Sequence, residues 1–280
     1  MNLKFLGTGG GRYTMIEQLR RTGGMFLQDE DLSVYIDPGP GALLQAREDG
    51  IGLEELDALI VTHAHLDHMG DMHAIIEAMT KGGDREEGIL LAAESVLEGA
   101  DIPGKYTDGE GTYGERVPPA LDPYHERLVP EMKLLEDGKE LELGHLTMRC
   151  LETEHSDPRT VAFTLGVGGR EYGFVSDTGF FPGLVDFFQG SDALILNMMR
   201  PHDHEWKGHL STEDAAKLLE EVEPEFGVMQ HFGAAMIHGS VKEEGKWLKE
   251  RSDVDFAMAE DGMEIDLDQP KKGLEKSIKS

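Results

Sequence analysis

The sequence predicts an α/β protein in which two β-sheets pack against each other and helices cover their outer faces. Three observations carry that expectation. Short apolar runs bounded by glycine, proline or acidic turns recur along the chain and read as strands. Stretches with helical spacing follow the later strands of each half. The two halves share this order loosely, without a fixed-period repeat, which suits packed sheets with helices outside.

The elements follow in order. Residues 3–7 read as a first strand running into the glycine turn GTGGGR. MFLQ at 25–28 and LSVYID at 32–37 are two strands around the acidic turn DED. Pro38 and Pro40 forbid early continuation, so the next helix starts near Gly41. LDALIVT is apolar with almost no alternation and reads as a buried strand. After it, LDHMGDMHAIIEAM puts Met72, Ile75, Ile76 and Met79 on one helical face, and GILLAA at 88–93 is another buried strand.

Residues 99–130 are rich in Gly and Pro and show no period, the mark of a lid-like insertion or a link. Tyr106, Tyr113 and Tyr124 favour the ordered lid. From 133, KLLEDGKELELGHLTMRCLETEH returns to strands, with DG at the first turn. VAFTLGV and EYGFVSDTG form a hairpin around Gly168 and Gly169, and DALILN is a further strand. STEDAAKLLEEV is a helix capped by Ser211 with Asp214, and FGVMQH is a short strand after it. Residues 1–268 are expected to form one domain, and the Lys-rich stretch 269–280 a disordered tail.

Composition narrows the function. Hydrophobic residues make up 39% of 280 positions, enough for a sizeable core. No apolar run reaches the length of a membrane span, and the N-terminus lacks the apolar region and cleavage site of a signal peptide. The expectation is a cytoplasmic protein. Cys150 is the only cysteine, so no disulfide or cysteine-based zinc site forms within one chain. A net charge of −29, from 26 basic and 55 acidic residues, repels polyanions at long range.

The chemistry is concentrated in VTHAHLDHMGD, residues 61–71, where three histidines and an aspartate fall within six positions. His63 and His65 lie two apart at a strand end, so their side chains point the same way in extended backbone. Asp67 and His68 fall in the first turn of the next helix. Four N/O donors thus converge locally, which suits Zn²⁺, with Fe, Mn or Co also accepting such ligands. One tetrahedral ion does not need all four; two ions sharing the cleft do, with further ligands from elsewhere. His155, Asp177 and His231 stand where other apolar strands meet polar loops.

HAHLDH followed by EHSDP, SDTG and MQHFG resembles the metallo-β-lactamase-fold hydrolases, and the likeness runs from FLGTGG and YIDPGPG to QHFG. It implies a four-layer αβ/βα sandwich of two mixed sheets, with the site along one edge between them. It also implies that His63, His65 and His155 hold one divalent metal ion and Asp67, His68 and His231 a second, with Asp177 bridging both. Zn²⁺ is the expected metal, with Mn²⁺ or Fe²⁺ as alternatives. A hydroxide formed between two such cations attacks phosphorus or a carbonyl, with Asp67 among the catalytic groups.

GHLST followed by MQHFG is similar to the RNase Z and phosphodiesterase-like branch, and makes His209 the candidate that assists the leaving group. The expected substrate is therefore a small or nucleotide-like phosphodiester. The charge, and a separation of only 22 positions from His155 to Asp177, too short for a tRNA-gripping arm, disfavour tRNA. A carbonyl-directed hydrolase of lactones or thioesters is the alternative, followed by a non-catalytic metal-binding protein. Arg12, Arg20 and Arg21 are weak phosphate candidates, since GTGGGR matches no Walker-type spacing. His202 and His204 read as exposed loop residues, with contact to substrate or to the ligands as the alternative. No role falls to His73, His125, His145 or His238. A homodimer is allowed but not required.

Overall fold

The computed structural model describes residues 1–30, 32–102, 115–204 and 207–270. Its strands, in chain order, begin with β1 (Asn2–Phe5), β2 (Met25–Asp29), β3 (Leu32–Ile36), β4 (Ala58–Val61) and β5 (Ile89–Ala93). A short ribbon of β6 (Ala100–Ile102) and β7 (Glu115–Val117) follows, then β8 (Glu131–Leu135), β9 (Glu140–Leu143) and β10 (Leu146–Glu152). The second half supplies β11 (Val161–Val167), β12 (Arg170–Val175), β13 (Ala193–Arg200), β14 (Leu210–Ser211), β15 (Phe226–Gln230), β16 (Phe256–Met258) and β17 (Glu264–Asp266).

Two mixed sheets result. The first runs β17-β1-β2-β3-β4-β5-β8, and the second β16-β15-β13-β12-β11-β10-β9 with β14 beside β13. In each sheet antiparallel hairpins give way to parallel strands: β3, β4, β5 and β8 are parallel in one, and β12, β13, β15 and β16 in the other. Strand β17 pairs with β1, so the last described strand closes the first sheet.

Side-chain alternation builds the layers. Along β4, Ile60 faces the space between the sheets, where it joins Phe5, Leu27, Met148, Phe163 and Ile195. Its neighbours Leu59 and Val61 point outward and meet Met72, Ile75, Ile76 and Met79 of the helix Met72–Met79. On the far side, Leu194, Leu196 and Met229 pack under the helices Pro182–Phe188 and Thr212–Val222 through Leu184, Phe188, Leu218 and Leu219. Three apolar layers between four layers of elements make the αβ/βα sandwich. The helix Thr212–Val222 opens on a reciprocal cap: Ser211 accepts from the Asp214 N–H, and the Asp214 carboxylate accepts from the Ser211 N–H.

The aperiodic stretch 99–130 differs from its sequence appearance at its end. Residues 118–130 contribute Leu121, Leu128 and Val129 to the helix-side core, so this part is packed domain. The lid expected over its middle, including Tyr106 and Tyr113, lies outside the described residues, as does nearly all of the tail.

Two outcomes test the packing. Burial pushes the Cys150 thiol up to about 11; a disulfide reagent at pH 8 should leave the folded protein unlabelled and label one thiol per chain in urea. Ser211→Ala removes half of the cap and should lower unfolding free energy by about 1 kcal/mol, read as a lower urea midpoint at constant slope.

Candidate metal centre

The backbone just past the ends of four strands sets the site. His63 and His65 lie beyond Val61 in a short loop rather than in the strand, with His65 capping the helix Leu66–Met69 that carries Asp67 and His68. His155 stands three residues past β10, Asp177 two past β12, and His231 one past β15. Folding brings all seven together. His63, His65, His155 and Asp177 form one group of potential ligand atoms within 4.8 Å of one another, and Asp67, His68 and His231 form a second.

Asp177 joins the two groups. Its Oδ2 lies 3.7 Å from His155 Nε2, 3.9 Å from His63 Nε2 and 3.5 Å from His68 Nε2, and its Oδ1 lies 3.4 Å from His231 Nδ1. Within the groups, His65 Nδ1 faces His155 Nε2 at 3.0 Å and His68 Nε2 faces His231 Nε2 at 2.9 Å. His63 Nε2 and His231 Nδ1 are buried without a hydrogen-bond partner. Ring nitrogens aimed at one another, two of them orphaned, lose solvation without compensation, and cations between them remove that loss. The residues present therefore fit the divalent ions that this fold implies.

Outer contacts fix which nitrogen two of the rings offer. His155 Nδ1 donates to the Gly208 carbonyl at 2.8 Å, leaving Nε2 for the centre. His68 Nδ1 donates to Asp37 Oδ2 at 2.9 Å, and the same carboxylate accepts from the Thr62 N–H and hydroxyl. Asn197 donates to Asp177 Oδ1 at 2.8 Å and is itself held by Gln230. Such partners orient ligands and fix tautomers. Asp37, Gly208 and Asn197 were not predicted as site residues; the only sequence signal was Asp37 within YIDPGPG.

The glycine loop has a positional task. The Gly11 N–H donates to Asp67 Oδ2 at 2.7 Å. Gly10 lies against the His231 ring so closely that a Cβ there would sit 2.2 Å from Nδ1. The Phe232 N–H donates to the Thr8 carbonyl and the Gly10 N–H to the Phe232 carbonyl, which pins the loop to the end of β15. His231 itself has φ 63° and Asp37 φ 51°, left-handed backbone that costs on the order of 1 kcal/mol or more and persists where surroundings enforce it.

Charge is distributed to receive cations. Burial works to raise the Asp177 carboxyl, yet His231, His68 and His209 around it hold it well below the usual carboxylate range. Asp67 is lowered in the same way, burial being outweighed by His68 and His231. Burial pushes His65 down to about 4, helped by His155, and lowers His63 and His155 as well. His68 goes the other way: Asp177 and Asp67 outweigh burial and raise it.

The remaining candidates separate. His209 belongs to neither ligand group, but its Nδ1 lies 3.6 Å from Asp177 Oδ2 and its ring 4.8 Å from that of His155; burial takes it down to about 3 against the pull of Asp177. His202 is not an exposed loop residue, because it stacks on Trp247 at 4.6 Å and pairs with Glu244. His204 is exposed and pairs with Asp203. Arg20 spans Thr8 and the Ala259 carbonyl over the Phe232 ring, and Arg21 pairs with Glu48, so both are engaged in structure. Arg12 is exposed.

Residues 33–232 match the model of the β-lactamase superfamily domain. An uncharacterized protein of Methanocaldococcus jannaschii, MJ1374, is 32% identical over 265 residues, 94% of each chain. Among solved structures, the metallo-β-lactamase fold protein YhfI of Bacillus subtilis matches with a TM-score of 0.71 at 19% identity, covering 94% of this chain and 97% of that one. The short form of human tRNase Z matches with a TM-score of 0.64 at 17% identity, covering 95% and 99%. With this architecture and this convergence of imidazoles and carboxylates, the chain belongs to the metallo-β-lactamase-fold hydrolases of the β-lactamase superfamily.

Proposed function

We propose that the protein is a dinuclear, zinc-dependent phosphodiesterase acting on a small or nucleotide-like substrate. The observation that carries this reading is His209, an imidazole that faces Asp177 from outside both ligand groups. A ligand set alone serves any hydrolase of this fold. A further ring at its rim serves a reaction whose leaving oxygen needs help.

Bound divalent cations supply Lewis acidity and ionise water near neutral pH. The chain's own residues do the rest. His63, His65, His68, His155 and His231 offer lone pairs, those of His68 and His155 already directed by their outer contacts. Asp67, held by the Gly11 N–H and beside His231 Nε2, presents an acceptor that aligns an attacking water. His209 offers a ring N–H to the departing or developing anionic oxygen, the kind of aimed donor whose removal costs about 10²–10³ in rate.

Surroundings favour a small substrate. The overall charge of −29 opposes docking of a long polyanion, which weighs against tRNA, although the name of one structural neighbour points to that substrate. The helix Arg12–Glu17, whose capping Gly11 touches Asp67, carries exposed Tyr13 and Ile16, and Leu66 beside Asp67 is exposed as well. An aromatic and two aliphatic side chains near the ligands suit the face of a nucleobase.

A substrate panel tests the reading. Zinc-loaded protein should hydrolyse bis-(p-nitrophenyl) phosphate and cyclic nucleotides, and turnover of lactones or thioesters alone would transfer the assignment to carbonyl chemistry. His209→Ala should cut kcat by about 10²–10³ with zinc content unchanged. Tyr13→Ala should raise KM for nucleotides while leaving kcat for bis-(p-nitrophenyl) phosphate in place.

A further inference from the structure

A second cluster lies on the helix-covered face of the first sheet and shares no residue with the centre around Asp177. His73 stands on the helix Met72–Met79, and Asp122 and His125 on the turn Pro123–Glu126 that packs against it. Potential ligand atoms of all three lie within 4.8 Å of one another. Asp122 Oδ2 is 2.7 Å from His125 Nδ1 and 3.6 Å from His73 Nε2, and the two rings are 4.3 Å apart at a 32° tilt. Zinc–nitrogen and zinc–oxygen bonds of about 2.0–2.2 Å put ligands of a tetrahedral ion roughly 3.3 Å apart, between those two distances.

The remaining polar atoms are arranged as outer partners. Asp122 Oδ1 is committed as the helix cap, accepting from the Tyr124 and His125 N–H groups, while Oδ2 hydrogen-bonds His125 Nδ1 and the Asp122 N–H donates to His73 Nε2 at 3.4 Å, contacts that a bound ion would replace. Glu77, one turn along the helix from His73, places Oε1 3.5 Å from His125 Nε2. With an ion bound, a carboxylate on that side would favour the proton on the distal nitrogen and present Nδ1 as the ligand atom, the arrangement common behind metal-bound histidines.

We infer that His73, Asp122 and His125 form a separate site for a divalent transition metal, backed by Glu77, which fastens residues 118–130 to the helix Met72–Met79. Two imidazoles and one carboxylate select Zn²⁺, Co²⁺ or Ni²⁺ over Mg²⁺ or Ca²⁺. The ligands are partly exposed, so an ion reaches them from solvent and keeps water in its remaining positions. Leu121, Leu128 and Val129 already bury against the same helix layer, and the ion adds a link between positions distant in sequence. This site stands independently of the proposed phosphodiesterase activity.

Cobalt and zinc binding to the full-length chain tests it. In a His63→Ala/His68→Ala background, which disables the first centre, the protein should still hold one Co²⁺ per chain with visible d–d absorption. Adding His73→Ala or Asp122→Asn should remove it, the asparagine keeping the helix cap, and Glu77→Gln should weaken it about tenfold. Should that background fail to fold, the otherwise unaltered protein and its His73→Ala/His125→Ala variant give the same answer: the variant should hold one zinc fewer per chain at unchanged hydrolase activity. Equal metal content in the paired proteins, or Co²⁺ binding indifferent to Asp122→Asn, overturns the site.

Discussion

A carboxylate 2% exposed, with five imidazoles within 3.9 Å of it, is the constraint on which the rest of the molecule depends. Asp177 faces His63, His68, His155, His209 and His231, all but His209 nearly closed to solvent. Burying an ion costs several kcal/mol unless well-placed partners compensate, and mutually facing ring nitrogens compensate poorly. Divalent cations resolve the conflict for every member at once. The outer contacts of Asp37, Thr62, Asn197, Gln230 and the Gly208 carbonyl then serve to hold His68, Asp177 and His155 in the orientation that a cation uses.

The sandwich exists in this form because strand ends are where backbone can turn abruptly and expose such groups. Both sheets run their parallel strands toward the same edge, so loops after β4, β12 and β15 open onto one space. Apolar strands below supply rigidity, and the glycine loop after β1 closes the arrangement by lying against His231. The strained φ of His231 and Asp37 belongs to the same logic: the surrounding hydrogen bonds hold two residues where their own preferences would not.

How much of this was legible in the sequence followed from distance along the chain. The first cluster announces itself because four ligand-type residues fall within six positions. His155, Asp177 and His231 are single residues after unremarkable strands, visible through the family resemblance rather than through local chemistry. Asn197, inside β13, and the Gly208 carbonyl carry no sequence signal, since a buried asparagine and a backbone oxygen look the same whatever they hold. The unbroken apolar run of 58–61 and the helical spacing of 72–79 gave the buried strand and the helix that covers it. No period marks 118–130, where Leu121, Leu128 and Val129 pack from the irregular chain on either side of the turn Pro123–Glu126. His202 was misread for a related reason: its partners Glu244 and Trp247 lie some forty positions away. His73 and His125 were given no role for the same reason, each unremarkable until the fold sets them around Asp122.

Placement of cations is the claim everything else leans on, and diffraction sees it directly. Crystals grown with zinc and measured on both sides of the zinc edge should show two anomalous peaks flanking Asp177. One should lie among His63, His65 and His155, the other among Asp67, His68 and His231. No anomalous peak within coordination distance of Asp177, in protein whose fold is intact, would contradict the account.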